Sequence, residues 1–332
     1  MRIVILDGYT TNPGDLCWDK LKELGECTIY DRTAPGEVLE RAAGAEAILT
    51  NKVVINSETM AALPDLKYIG VTATGYNVVD INAARERGII ITNIPAYSTP
   101  SVGQMVFAHI LNITQQVRHY SEEVSKGNWS KNPDFCFYDT PLIELLGKKI
   151  GIVGLGQTGY NTARIAIGFG MKVWAYTSKS RLQLPPEIRK AELDQLFHEC
   201  DIISLHCPLT AETYHMINAD TIKMMRGSAI LVNTSRGGLI DTDALIDALR
   251  HRKFAGVGLD VYEDEDEKVF EDFSDDVLQN EVVPVLLSFP NVVVTSHQAF
   301  FTRTALQSIA ITTMENARAF ARGEKLVNEV KG

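Results

Sequence analysis

Long apolar runs are missing from this sequence. No stretch approaches the ~18–20 apolar residues of a membrane-spanning helix. Positive charge is in deficit, with 32 Lys+Arg against 42 Asp+Glu and a net charge of −10. That balance argues against a nucleic-acid partner, which would want a basic face, and against an anionic membrane surface. No C-x-x-C pair occurs among Cys17, Cys27, Cys136, Cys200 and Cys207. An odd count without such pairs reads as reduced thiols packed as small hydrophobes, with no zinc site. His109, His119, His198, His206, His215 and His251 have no metal-like spacing and read as structural. Repeats and low-complexity tracts are absent too. The run Arg2–Leu6 is too short for a signal-peptide core, and Val330-Lys331-Gly332 matches no retention or prenylation tag. The expected location is cytoplasmic.

What is present is ordinary globular material: 332 residues, 45% apolar and 22% charged. That length suits about two domains, each able to bury a core without a disulfide or metal. Short β-branched runs alternate with helical patterns, the signature of parallel sheets covered by helices. In the first third the expected strands are Ile3–Leu6, Ala47–Thr50, Lys67–Thr72 and Ile89–Thr92. A helix over Asp15–Leu24 is expected to stop at Gly25. The stretch Ile94–Pro100 is poor helix and poor strand, and marks a break. Ser101–Gln104 fits a capping box opening a helix that runs to about Glu123. Its apolar residues circle the axis, so it should be buried on several sides.

A second α/β series starts at Lys149. Its near-continuous apolar strands are Ile150–Val153, Lys172–Tyr176, Asp201–Leu205, Ala229–Asn233, Gly256–Asp260 and Val292–Thr295. Thr302–Phe320 reads as one helix. Gly127–Pro141, with Trp129, Phe135, Phe137 and Tyr138, reads equally as a loop tethered over a core or as an arm docking on a second subunit. The acidic run Glu263–Asp276 reads mostly as a solvated loop.

The strand Ile150–Val153 leads into G-x-G-x-x-G at Gly154, Gly156 and Gly159, and a helical pattern follows. In that context the motif is a dinucleotide loop. The first glycine permits the turn, the second admits a pyrophosphate, and the third lets helix pack on strand. Gln157 and Thr158 open the helix, whose N-terminus attracts the negative charge. At the end of the next strand an NAD site usually places Asp or Glu on the ribose 2′-hydroxyl. Here that position is Thr177, and no carboxylate appears until Glu187. Ser178, Lys179 and Arg181 suit a 2′-phosphate. The reading leans to NADP(H), with NAD(H) left open.

Asn233–Gly238, Gly258–Glu265 and Thr295–Gln298 each end a predicted strand, where ligands of parallel sheets bind. With the Cys207-Pro208-Leu209-Thr210 turn and the glycine loop, in this order, they resemble the D-isomer-specific 2-hydroxyacid dehydrogenase family along essentially the whole chain. The resemblance implies a Rossmann-type cofactor domain, 101–298, inserted into a flavodoxin-like substrate domain, 1–100 plus 299–332. Both would be doubly wound parallel-sheet α/β domains. It implies a crevice that closes about the crossings near Thr99 and Ala299, and a homodimer joined through the cofactor domain.

By the same resemblance Arg236, Glu265 and His297 match the catalytic arginine, glutamate and histidine. Arg236 offers a fork to a 2-keto acid. His297 gives a proton to the carbonyl oxygen, and the Glu265 carboxylate favours its protonated form. Asp260, the backbone around Thr234 and the Cys207-Pro208 turn fall near the nicotinamide. Ala73–Asn77 resembles the substrate-carboxylate loop, with the N–H groups of Thr74 and Gly75 as donors. Tyr97 and Phe300 are substrate-side candidates, and Asn51 and Lys52 weaker ones.

The first part of the chain resembles the glycerate dehydrogenase (hydroxypyruvate reductase) branch. The later part, from Val261-Tyr262-Glu263 to Thr302, resembles the D-lactate dehydrogenase branch. Hydroxypyruvate or glyoxylate reduction is the expectation, with pyruvate reduction second. A non-catalytic NAD(H)-sensing protein on the same fold remains a third reading.

Overall fold

The computed structural model describes residues 1–14, 16–263, 265 and 282–331. These fall into two compact units. One comprises the described residues of Met1–Tyr97 and Phe301–Gly332, the other those of Ser98–Glu267 and Phe273–Phe300.

In the first unit β1 (Arg2–Ile5), β2 (Glu26–Ile29), β3 (Ala47–Thr50), β4 (Tyr68–Val71) and β5 (Ile90–Thr92) form a sheet in the order β2-β1-β3-β4-β5. Every pair is parallel. This is the flavodoxin-like doubly wound order, whose switch point lies between β1 and β3. The central strands β3 and β4 are buried throughout, and apolar clusters cover both faces. The final helix, Arg303–Arg322, returns to this unit and stacks Phe320 on Tyr68 with ring centroids 4.6 Å apart.

In the second unit β6 (Lys149–Val153), β7 (Lys172–Tyr176), β8 (Ile188–Lys190), β9 (Ile202–Leu205), β10 (Ala229–Asn233), β11 (Phe254–Leu259) and β12 (Val292–Val294) are all parallel. Their order, β12-β11-β10-β9-β6-β7-β8, is the Rossmann order extended by one strand, and its switch point lies between β6 and β9.

The structure corrects several local expectations. The long helix begins at Thr99 with Pro100 in its first turn, and Ser101 Oγ bonds to Ser98 O, so the Ser101 capping box does not form. That helix ends at Gln115. Gln116 takes φ 47°, a left-handed stop, and a separate helix runs Val117–Ser125. Of the helix expected over Asp15–Leu24, only Asp19–Lys22 is helical; Asp15 lies outside the described residues. Cys17 and Cys136 are exposed rather than packed, and Cys17 donates to Asp19 instead. The acidic run lies outside the described residues except for Glu263 and Glu265.

Candidate active site

The glycine loop leaves β6 at the switch point. Gly154 has φ 95°, and a Cβ there would fall 2.7 Å from the Cys207 backbone N at the end of β9. A Cβ on Gly159 would lie 2.1 Å from Gly154 O, so the helix Gln157–Gly168 packs hard on the loop. A Cβ on Gly156 would meet nothing within 4 Å. The loop is therefore closed by packing on two sides and open at its middle glycine, at a helix N-terminus. Such a loop can cradle a pyrophosphate.

Beyond β7 the basic turn divides. Lys179 Nζ donates to Leu155 O of the glycine loop at 2.8 Å, and Lys179 N donates to Thr177 Oγ1. Arg181 points elsewhere. Its guanidinium donates to the carbonyls of Leu184, Pro185 and Pro186, and so closes its own turn. Ser178 is exposed beside Thr177.

At the end of β9, His206 Nε2 lies 2.9 Å from Ser204 Oγ, and burial pushes its pKa down to about 4. It is a neutral packing group beside the Cys207-Pro208 turn. At the end of β10, Asn233 spans its own turn: Nδ2 donates to Arg236 O, and Oδ1 accepts from Ser235 N. Ser235 Oγ donates to Cys207 O, which ties this turn to the β9 turn. Arg236 donates to Ser235 O and is half-buried. Thr234 Oγ1 is buried without a hydrogen-bond partner, an orphan in the region where a nicotinamide carboxamide is expected.

The turn after β12 carries His297. Its φ is 51°, a left-handed conformation that costs a non-glycine residue roughly 1–3 kcal/mol and persists only where its surroundings impose it. The buried Asp260 imposes it. Asp260 O accepts from His297 N at 2.8 Å, Oδ1 accepts from Gln298 N at 3.0 Å, and Oδ2 accepts from Ala299 N at 2.8 Å. Held this way, His297 places Nδ1 2.8 Å from Glu265 Oε1, with the histidine side chain 32% and the glutamate 16% exposed. The Glu265 contact is made through Nδ1, not Nε2. Phe300 meets the imidazole edge to face at 6.3 Å.

Of the three residues expected to be catalytic, His297 and Glu265 are thus directly paired, whereas Arg236 is held by its own turn. In the first unit Thr74 is exposed; its hydroxyl donates to Ile94 O, and its carbonyl accepts from Asn93 Nδ2. Gly75 follows it, half-buried. Tyr97 follows Ala96, another left-handed residue, with φ 60°.

Sequence reasoning passed over Asp7. At the β1–β3 switch point its buried carboxylate accepts the N–H groups of Asn51, Lys52 and Val53. Asn51 Nδ2 continues to Thr72 at the end of β4. An aspartate ending a buried first strand was the available signal. Glu263, two residues before Glu265, accepts from His215 at 2.5 Å and from Thr242 N.

The model of the D-isomer specific 2-hydroxyacid dehydrogenase NAD-binding domain matches residues 107–299. A hydroxypyruvate reductase of Blautia hydrogenotrophica is 42% identical over 97% of this chain and 98% of its own. The chain belongs to the D-isomer-specific 2-hydroxyacid dehydrogenase family. A glycerate dehydrogenase of Methylorubrum extorquens is 36% identical over 89% of each chain. Among solved structures, a D-lactate dehydrogenase of Aquifex aeolicus complexed with NAD and lactic acid superposes with a TM-score of 0.84 at 31% identity. The match covers 100% of this chain and 99% of that one. The family makes the chain an oxidoreductase with an NAD-binding domain.

Proposed function

We propose that the chain reduces hydroxypyruvate or glyoxylate to D-glycerate or glycolate. Residues 101–298 would act as the dinucleotide-binding domain, and 1–100 plus 299–332 as the substrate-binding domain. The 2.8 Å contact between His297 Nδ1 and Glu265 Oε1 carries the mechanism. Glu265 accepts a hydrogen bond from Nδ1–H, fixes the ring, and stabilises the imidazolium. His297 Nε2–H then donates to the substrate carbonyl oxygen as that oxygen gains negative charge. Arg236 binds carboxylate and carbonyl, polarising the C=O. The N–H groups of Thr74 and Gly75 bind the carboxylate, and Tyr97 and Phe300 line the substrate side.

Gly154, Gly156, Gln157, Thr158 and Gly159 would hold the dinucleotide phosphates. Cys207, Pro208, Thr234 and Asp260 would border its nicotinamide, which supplies the hydride. Thr177, Ser178 and Lys179 suit a 2′-phosphate better than a bare ribose, so NADPH is the proposed hydride source. Arg181 contributes less than its charge suggests, because its fork is engaged with three carbonyls.

The substrate assignment leans on the 42% identity to a hydroxypyruvate reductase. Pyruvate is the second reading. It is favoured by Phe300 against His297, an apolar neighbour suited to a methyl group, and by the D-lactate dehydrogenase neighbour. Initial rates with NADPH and NADH against hydroxypyruvate, glyoxylate and pyruvate test both readings. Fast oxidation of NADPH by hydroxypyruvate supports the first, and a preference for NADH with pyruvate replaces it with the second. We also assign a homodimer through the cofactor domain. Phe135, 91% exposed, and the exposed Trp129 and Tyr138 are groups that a second subunit would cover. Light scattering showing only monomer would remove that assignment.

A further inference from the structure

A hydrogen-bond chain runs from the helix Thr99–Gln115 to the turn that aims His297. His109 lies on that helix, 2% exposed. It is pressed against β11, where a Cβ on Gly258 would fall 2.7 Å from its own Cβ. Its Nε2 lies 3.1 Å from Thr295 Oγ1, and Thr295 Oγ1 donates to Asp260 Oδ1 at 2.5 Å. Proton accounting gives the chain a direction. A hydroxyl has one proton, and the Asp260 carboxylate takes it. Thr295 can then only accept from His109, so His109 carries its proton on Nε2.

The rest of the environment agrees. Burial lowers the pKa of His109, with the Asp260 charge opposing more weakly, and this favours a neutral ring with one N–H. The Asp260 carboxylate that receives the chain also accepts Gln298 N and Ala299 N, the two residues that follow the left-handed His297. Without Thr295, one lateral hydrogen bond on Asp260 Oδ1 disappears. The carboxylate then gains freedom to rotate out of the turn.

We propose that His109 is a positioning residue of the active site. By donating its Nε2–H to Thr295, it locks the Asp260 carboxylate in the one orientation that holds the His297 turn. The proposal rests on the reading of His297 as the proton donor. It assigns His109 a part in turnover that its position in a buried helix conceals.

The test uses the full-length chain and four variants: His109→Leu, His109→Gln, Thr295→Val and the double variant His109→Leu/Thr295→Val. The readouts are kcat, KM for the keto acid, and the Kd for NAD(P)H from nicotinamide fluorescence. His109→Leu and Thr295→Val should each lower kcat about tenfold, an effect on the transition state. The cofactor Kd should stay within about twofold, since the glycine loop is untouched. His109→Gln keeps an N–H donor and should recover part of kcat. The double variant should be no worse than the poorer single one, as expected for two links of one chain.

Unchanged kcat in either single variant overturns the proposal. So does parallel loss of kcat and cofactor affinity, which marks a packing defect, or an additive double variant. Should His109→Leu fail to fold, Thr295→Val alone decides by the same readouts. A wild-type chain without turnover overturns the proposed function and the relay together. A wild-type chain that turns over beside unaffected variants overturns the relay alone.

Discussion

His297 Nδ1 lies 2.8 Å from Glu265 Oε1, and the histidine that makes this contact sits at φ 51°. The two facts belong together. An extended or right-handed residue at this position would carry the imidazole in another direction, so the contact depends on a conformation that the local sequence disfavours. If His297 is the proton donor, as proposed, its removal should be severe. His297→Ala is expected to lower kcat by about 10²–10⁴, the usual span for a positioned general acid. Glu265→Gln keeps a hydrogen-bonding group without the charge and should cost less. Steady-state rates beside NAD(P)H binding by fluorescence check both. Lost cofactor binding in His297→Ala would point to a folding defect.

The division of the basic turn makes a prediction about nucleotide choice. Lys179 reaches the glycine loop, whereas Arg181 closes its own turn. Lys179→Ala should lower kcat/KM for NADPH by about tenfold, the scale of one charge-assisted contact, and change NADH little. Arg181→Ala should affect the two cofactors alike. Thr177→Asp supplies a ribose-binding carboxylate and should shift preference toward NADH. Equal losses with both cofactors in Lys179→Ala would argue against a 2′-phosphate site.

Asp7 holds three consecutive backbone N–H groups in a buried place, at the cost of a carboxyl pKa raised by burial. Asp7→Ala leaves those donors without an acceptor. Each orphaned buried donor costs roughly 1–3 kcal/mol, so the variant should be destabilised by at least a few kcal/mol. Urea denaturation measures this. A midpoint equal to that of the wild type would mean that water replaces the carboxylate.

Acid should weaken the second unit through His206. Its pKa is pushed down from 6.5 to about 4 in the folded protein by burial. Between these values the unfolded chain binds a proton that the folded chain refuses. Stability therefore falls as pH drops from about 6.5 to about 4, by on the order of 3 kcal/mol. Below about 4 this contribution is fully lost. His206→Gln should flatten that limb in denaturation midpoints measured against pH. An unchanged slope would show that other groups control acid unfolding.

The legible parts of the fold were those with continuous apolar runs. β3, β9 and β10 are buried end to end and β6 from Ile150 on, and each was read from its β-branched run. The edge strands β2 and β8 were not, because Glu26–Ile29 and Ile188–Lys190 are only partly covered and mix charged with apolar residues. The stop at Gln116 was hidden for a different reason. A glutamine gives no sign of a left-handed conformation, which glycine or asparagine would have signalled.

The sequence by itself determined the alternation of strand and helix, the glycine loop, the ordered motifs and the absence of a carboxylate at Thr177. These are properties of residue type and spacing, and local physics decides them. Tertiary structure alone decided which charges work together. Lys149 through Val153 could announce a strand. No spacing could announce that His109 and Thr295, 186 positions apart, share a hydrogen bond, that Arg181 is consumed by its own turn, or that Asp7 gathers the loop after β3. Such partnerships form where separate strands end side by side, and the sheet order brings those ends together only once the chain has folded.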